Sequence, residues 1–291
     1  MYWLPDFFCA GITASFSGLQ IKKKTGMMKV SNNKIKELKA LHSVKFRQKY
    51  QKFIAEGTKI AEEVLRADHC SPLEIYALPN WLETQQPRLS RMPACDIYEV
   101  TPQELGRIST LTTPNQVLMV LPIHPPPLLV QEVSRDLCLY LDDIRDPGNL
   151  GSILRIADWF GIPWVFCSES SVELFNPKVV QASMGAFLRV RCLTVEFETL
   201  CKALPDMPVY AAMPDGSPVF GVSLATPAII AIGNESRGVS STVLDCADVS
   251  ISIPRGPGGA AESLNAAIAT GIICAAFRNS ARPATSQGNP V

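Results

Sequence analysis

No stretch of this 291-residue chain stays apolar for the roughly 18 residues that a bilayer-spanning helix requires, so the sequence offers no transmembrane segment. Net charge is lacking as well. Lys and Arg total 27 and Asp and Glu total 27, so the overall balance points to no partner. Histidine is scarce: His42, His69 and His124 lie far apart without ligand-like spacing, and no metal site is expected. The nine cysteines include no C-x-x-C pair and are odd in number. Cys138, Cys167, Cys192, Cys246 and Cys274 sit in apolar segments, where a free thiol acts as a small hydrophobe. That pattern fits a reducing, cytoplasmic compartment rather than a disulfide framework. A Gly-Lys-Ser/Thr phosphate loop is also missing, which removes one common nucleotide cradle.

What is present is a 47% hydrophobic chain long enough for two domains, with its charge unevenly spread. Between Gln20 and Arg66, 13 Lys and Arg residues face only Glu37, Glu56, Glu62 and Glu63. A basic end on a neutral chain fits contact with a polyanion, and the plainer alternative is a solvated helix face. Residues 1–28 lack a basic region ahead of their apolar part, so they fit a signal peptide poorly. They are expected to be a disordered extension, as are residues 281–291.

From Ser31, polar capping residues lead into helical spacing with Ile35, Leu38 and Leu41 on one face. A short strand at Phe53–Gly57 follows, then a helix over Lys59–Arg66 that Thr58 could cap. Further short segments complete a small α/β domain over 29–121. The proline cluster at 122–127 reads as a stiff linker extending to 130. From 131 to 280, strands apolar throughout alternate with helices, which implies a mostly parallel sheet covered on both faces. Ligands on such sheets sit outside the strand C-terminal ends.

Three motifs fall there. Asp146–Arg155, DPGNLGSILR, makes a turn and opens a helix that Asn149 can cap, with Arg155 leaving on another side. Arg155 could pair with Asp142 or Asp158, or its planar fork could face a phosphate or a reacting oxygen. Ile232–Val239, IGNESRGV, opens from an apolar strand into a polar turn, with Ser240 placed to cap the next helix. Val249–Arg278 is a strand, a loop containing Gly256, Gly258 and Gly259, and a helix of small and apolar residues. Its G-x-G-x-x-A matches a dinucleotide fingerprint, but this is the last βα unit, and no ribose-binding acid follows about 20 residues on.

In this order the three stretches resemble the SpoU-type (TrmH-like) RNA 2'-O-ribose methyltransferases of the SPOUT superfamily, over roughly Leu137–Phe277. The segment FIAEGTKIAEEVL resembles that family's substrate-binding domain, which is similar to the fold of ribosomal protein L30e. The resemblance implies an α/β fold: a SPOUT domain with a deep trefoil knot, preceded by a small L30e-like domain. It implies S-adenosylmethionine as methyl donor, RNA as substrate, and a homodimer with its active site between protomers. Gly233, Ile253 and Leu264 match positions whose backbone holds the adenosyl moiety. Asn149, Arg155, Glu235, Ser263 and Asn265 match catalytic and RNA-site positions. The loop between Pro254 and Ser263 is about two residues longer than the family spacing, with Arg255 where Met is common.

Given that resemblance, Lys34, Lys45, Arg47, Lys49 and Lys59 are the expected phosphate contacts, and ribosomal RNA of the 23S type the expected substrate. Transfer RNA methylation, or an RNA-binding assembly role without catalysis, are the alternatives. Arg155 is expected to act electrostatically, because a guanidinium with a pKa above about 12 is a poor base.

Overall fold

The computed structural model describes residues 30–93 and 95–280. The expected terminal extensions, 1–28 and 281–291, lie outside them. Chain order in the first lobe is α1 (Asn32–Ala40), α2 (Val44–Tyr50), β1 (Lys52–Glu56), α3 (Thr58–Arg66), β2 (Glu74–Ala77), α4 (Pro79–Leu89), β3 (Asp96–Glu99), α5 (Pro102–Ile108) and β4 (Val117–Pro122). The strands form one sheet in the order β1-β4-β2-β3, with β4 antiparallel to both neighbours and β2 parallel to β3.

Ile35, Leu38 and Leu41 are buried as their spacing predicts, and the Ser31 hydroxyl caps α1 by accepting from Lys34 N–H. Thr58 does not cap α3. It is the first helical residue, and Gly57 takes the cap position with φ +102°, a left-handed conformation that favours glycine. The proline cluster begins inside the sheet: Pro122 pairs with Lys52 and closes β4, where a missing N–H costs little at a strand end.

A short helix, α6 (Val130–Val133), leads into the second lobe. There follow β5 (Leu137–Leu141), α7 (Pro147–Trp159), β6 (Trp164–Cys167), α8 (Pro177–Ser183), β7 (Arg191–Thr194), α9 (Phe197–Ala203), β8 (Val209–Pro218), β9 (Ala228–Ile232), α10 (Ser241–Asp245), β10 (Val249–Ser252) and α11 (Ala266–Ser280). The six strands are parallel in the order β10-β8-β9-β5-β6-β7. Every residue of β5 and β9 is buried, as fully apolar strands between two helical layers should be. Helix α8 is short: Met184 and Gly185 both have positive φ, so it stops there and a single 3-10 turn, Ala186–Leu188, follows.

The lobes share a core. Phe53 on β1 packs on Phe175 at 4.6 Å and edge-on to Phe187 at 5.8 Å. Such aromatic pairs contribute about 0.5–1.5 kcal/mol each beyond the area they bury. Charge crosses the same seam, since Arg189 pairs with both Glu63 and Asp158.

Candidate active site

β5 and β9 are neighbours, yet the chain leaves them in opposite directions: β6 and β7 lie on one side, β8 and β10 on the other. The loops after β5 and β9 therefore part at a switch point, the crevice where open α/β sheets take ligands. The first loop runs into α7. Asp146, not Asn149, caps that helix, its Oδ1 accepting from Asn149 N–H at 2.9 Å. Pro147 takes the first helical position, where its missing N–H costs nothing. Asn149 thus sits one turn inside, with its side-chain amide free for other work.

That amide joins the three motifs. Asn265 caps α11: its Oδ1 accepts from the N–H groups of Ala267 at 3.0 Å and Ile268 at 3.3 Å. Its Nδ2 must then face away from the helix, and it donates to Asn149 Oδ1 at 2.7 Å. Asn149 in turn donates its Nδ2 to Glu235. The half-buried Glu235 is held there by its neighbour Asn234, whose Nδ2 donates to the Asp143 carbonyl at 3.0 Å. Asn234 also accepts the Gly238 N–H on its backbone oxygen at 2.8 Å, closing the turn. Ser240 stands at the start of α10 as expected, but makes no side-chain cap. Its N–H donates to Asp142 Oδ2 at 2.6 Å.

The three positions expected to hold the adenosyl moiety lie in the segments that follow β9 and β10. Gly233 follows β9, and a Cβ there would lie 2.1 Å from the Gly238 carbonyl carbon, so backbone packs on backbone and no side chain fits. Ile253 follows β10 and is half-buried, and Leu264 is 43% exposed. The long loop is braced by Arg255, which donates to the Glu262 carbonyl at 2.7 Å. Ser263 is exposed, and its side chain makes no hydrogen bond among the described residues.

Arg155 is not with the others. Two turns along α7 from Asn149, it is exposed and makes neither of the ion pairs open to it, with Asp142 or with Asp158. Asp142 is taken by Ser240 N–H and Asp158 by Arg189. Arg155 lines an open groove with Ser152, Trp159, Phe160 and Met184.

Among the five expected phosphate contacts, Lys45, Lys49 and Lys59 are exposed. Lys34 is largely engaged with Glu74, at 2.8 Å, and with Glu37. Arg47 cannot reach a phosphate, because its side chain is only 2% exposed, pairs with Glu173 of the second lobe, and donates to the Leu41 carbonyl. A cation in a lysine-rich run reads as surface from sequence, but here it is a tie between lobes.

Sequence reasoning passed over Asp143. It follows an apolar strand as the second half of an Asp-Asp pair and takes φ +58°, uncommon outside glycine. Its N–H donates to Ser168 Oγ, its carbonyl accepts from Asn234, and its carboxylate meets Arg145 and Arg237. Burial would raise that carboxyl, but hydrogen bonds from Arg145 and Ser170 outweigh it and hold the pKa below the ordinary 3.8.

Residues 136–275 match the SpoU rRNA Methylase family, and residues 32–119 match the MRM3-like substrate binding domain. A solved TrmH-family structure from Porphyromonas gingivalis is 36% identical, covers 86% of this chain and 98% of its own, and superposes with a TM-score of 0.76. The chain belongs to the SpoU methylase family. Its similarity to the 23S rRNA (guanosine(2553)-2'-O)-methyltransferase RlmP of Bacillus subtilis is 27% identity, over 83% of this chain and 94% of that one. An AdoMet-bound rRNA methyltransferase from Sinorhizobium meliloti, 24% identical, shares the fold with a TM-score of 0.76 over 87% of this chain and 96% of its own. As a SpoU methylase with the SPOUT α/β architecture, the protein is an S-adenosylmethionine-dependent RNA methyltransferase, as the sequence resemblance implied. No helix among the described residues is long and apolar enough to cross a membrane.

Proposed function

We propose that the protein methylates a ribose 2'-hydroxyl of ribosomal RNA of the large-subunit type, in the cytoplasm. The observation that carries this reading is the Asn265–Asn149–Glu235 chain of hydrogen bonds, which draws one residue from each motif to the switch-point crevice. The likeness to the Bacillus subtilis enzyme over nearly its full length supports ribosomal over transfer RNA.

Gly233, Ile253 and Leu264 would hold S-adenosylmethionine, which supplies an electrophilic methyl group when bound. The protein's own residues then have two tasks: to place the 2'-oxygen in line, and to ease loss of its proton. Positioning can supply about 7–11 kcal/mol, so the rigid amide relay matters more than any one charge. Glu235, fixed by Asn149, is a carboxylate at the mouth of the crevice that can accept a hydroxyl proton. Ser263 and Asn265 offer polar contacts to the ribose. Arg155 stabilises the developing alkoxide or the adjacent phosphate.

Because Arg155 faces away from the crevice of its own chain, it serves the crevice of a second copy, and the protein works as a homodimer. Support comes from exposed apolar side chains on α7 and on α11, which packs against it: Trp159, beside Arg155, is 84% exposed and Ile268 is 57% exposed. Residues 29–121 are the substrate-binding lobe and 131–280 the methyltransferase lobe, with exposed Lys45, Lys49 and Lys59 on RNA phosphates. The deep trefoil knot of the family also fits: a Cβ on Gly216 of β8 would come within 2.6 Å of the Ile251 backbone of β10, packing too close for any side chain. Mapping 2'-O-methyl positions in ribosomal RNA from cells with and without the protein tests the reading. One large-subunit position should lose its methyl, and an unchanged map would overturn it.

A further inference from the structure

Asp143 stands between two arginines, and its two oxygens are divided between them. Arg145 Nε donates to Oδ1 at 2.7 Å, while Arg237 Nη1 lies 3.6 Å from Oδ2. The arginines come from different βα loops, the first on the path from β5 to α7, the second on that from β9 to α10. Both remain largely in water, their side chains 58% and 70% exposed, so most of each guanidinium fork faces outward.

Their surroundings make them conspicuous. Asp142, Asp143, Asp146 and Glu235 all line the floor or rim of this crevice, and each is committed within the protein. Asp142 accepts from Ser240 N–H, Asp146 from Asn149 N–H, and Glu235 from the Asn149 amide. Carboxylates gathered here repel a polyanion where the substrate ribose must enter, even with Asp142 buried. Arg145 and Arg237 are the cations bonded into that rim. Asp143 itself is fully held on its backbone, by Ser168 Oγ and the Asn234 amide. It is therefore a fixed post rather than a mobile counter-ion.

We propose that Arg145 and Arg237, aligned by Asp143, clamp the backbone phosphate next to the target ribose. Two forks on one post suit a phosphodiester, since each offers paired donors at a set angle. Asp143 is a positioning residue: it touches the arginines, not the RNA. The proposal rests on the RNA methyltransfer reading and assigns it residues that none of the three motif correspondences supplies.

The experiment measures methyl transfer to, and equilibrium binding of, a large-subunit ribosomal RNA fragment across a salt series. It uses Arg145→Ala, Arg237→Ala, their double variant and Asp143→Asn. Binding of S-adenosylmethionine and thermal unfolding confirm that the exposed substitutions leave the protein folded. In the double variant KM for RNA should rise on the order of 30-fold, with kcat within about threefold. The slope of log affinity against log salt should fall by about 0.7 for each single-strand phosphate that is no longer neutralised. Asp143→Asn separates alignment from charge, because asparagine tolerates the left-handed backbone and the change removes a negative charge from the rim. Charge alone would tighten RNA binding. Alignment predicts kcat/KM lower by roughly tenfold. A double variant with unaltered KM and salt slope, or an Asp143→Asn protein that methylates better, overturns the clamp. Failure of the unaltered protein to methylate any RNA would defeat the activity instead, while the binding series still reports on the clamp.

Discussion

Asn265 donates its side-chain amide to Asn149 Oδ1 at 2.7 Å, across 116 positions of sequence. The direction of that bond is set by elementary valence. Two helix N–H groups occupy Asn265 Oδ1, so only its NH2 is left for Asn149, and Asn149 must then turn its own NH2 to Glu235. A helix cap thereby fixes the orientation of a carboxylate two motifs away.

Asn149 is consequently the most sensitive position of the relay. Asn149→Ala frees Glu235 and strands the Asn265 amide, and the rate of methyl transfer should fall by about 10²–10³, the usual cost of losing one preorganised donor. Asn149→Asp should be at least as severe, since it sets a second negative charge against Glu235. Single-turnover kinetics at saturating RNA check this. Affinity for S-adenosylmethionine, measured by calorimetry, should stay within about threefold, because no adenosyl position is touched.

The alternation of strands and helices was legible because parallel strands buried on both faces carry no polar residues, as in LCLYL and AIIAI. The relay was half legible. Its three members stand in recognisable motifs, but that they bond to each other depends on strand order, which periodicity does not encode. The role of Arg47 was not legible at all, because a cation in a lysine-rich helix looks the same whether it faces water or a partner lobe. Asp143 was hidden similarly: nothing in an Asp-Asp pair announces a left-handed backbone.

The Arg47–Glu173 pair makes a stability prediction. Arg47 is buried while Glu173 keeps 27% of its side chain exposed. Glu173→Ala strands the buried guanidinium and should destabilise by about 3 kcal/mol, the low end for a broken buried pair because water still reaches the site. Arg47→Met removes the charge along with its partner and should cost less, despite leaving the Leu41 carbonyl without its donor. Denaturant titration of the two variants tests the order. If Arg47→Met proves the worse, the loss lies in hydrogen bonding or packing rather than in stranded charge.

His42 gives the protein a pH dependence. Its Nε2 is buried without a partner. Desolvation lowers its pKa from 6.5, opposed by Glu56 and the nearby Ile108 backbone and aided by Lys39 and Arg47. The folded state therefore takes up its proton less readily than the unfolded chain, so stability rises with pH between the lowered folded value and the unfolded one. This contribution is fully present above the unfolded value and erodes as pH falls below it. Melting temperatures between pH 7.5 and 5 should fall less steeply in His42→Gln than in the parent. Parallel curves would show that His42 does not titrate differently in the two states.

The separation of Arg155 from Asn149 can be tested without a structure of the dimer. If each crevice takes its arginine from the other copy, Asn149→Ala and Arg155→Ala homodimers should both be nearly inactive, yet their mixture should not be. In a random mixture of the two variants half the dimers are mixed, and in a closed two-fold pair each of these has one crevice with both residues intact. Such a mixture should recover about a quarter of the parental activity, half the dimers with one working site of two. Were Arg155 to serve its own crevice, both sites of a mixed dimer would carry a defect and mixing would restore nothing. Trp159→Glu supplies the companion measurement, because a carboxylate in an apolar contact should shift sedimentation toward monomer and abolish the recovery. A variant that stays dimeric would place the contact elsewhere than on the exposed face of α7.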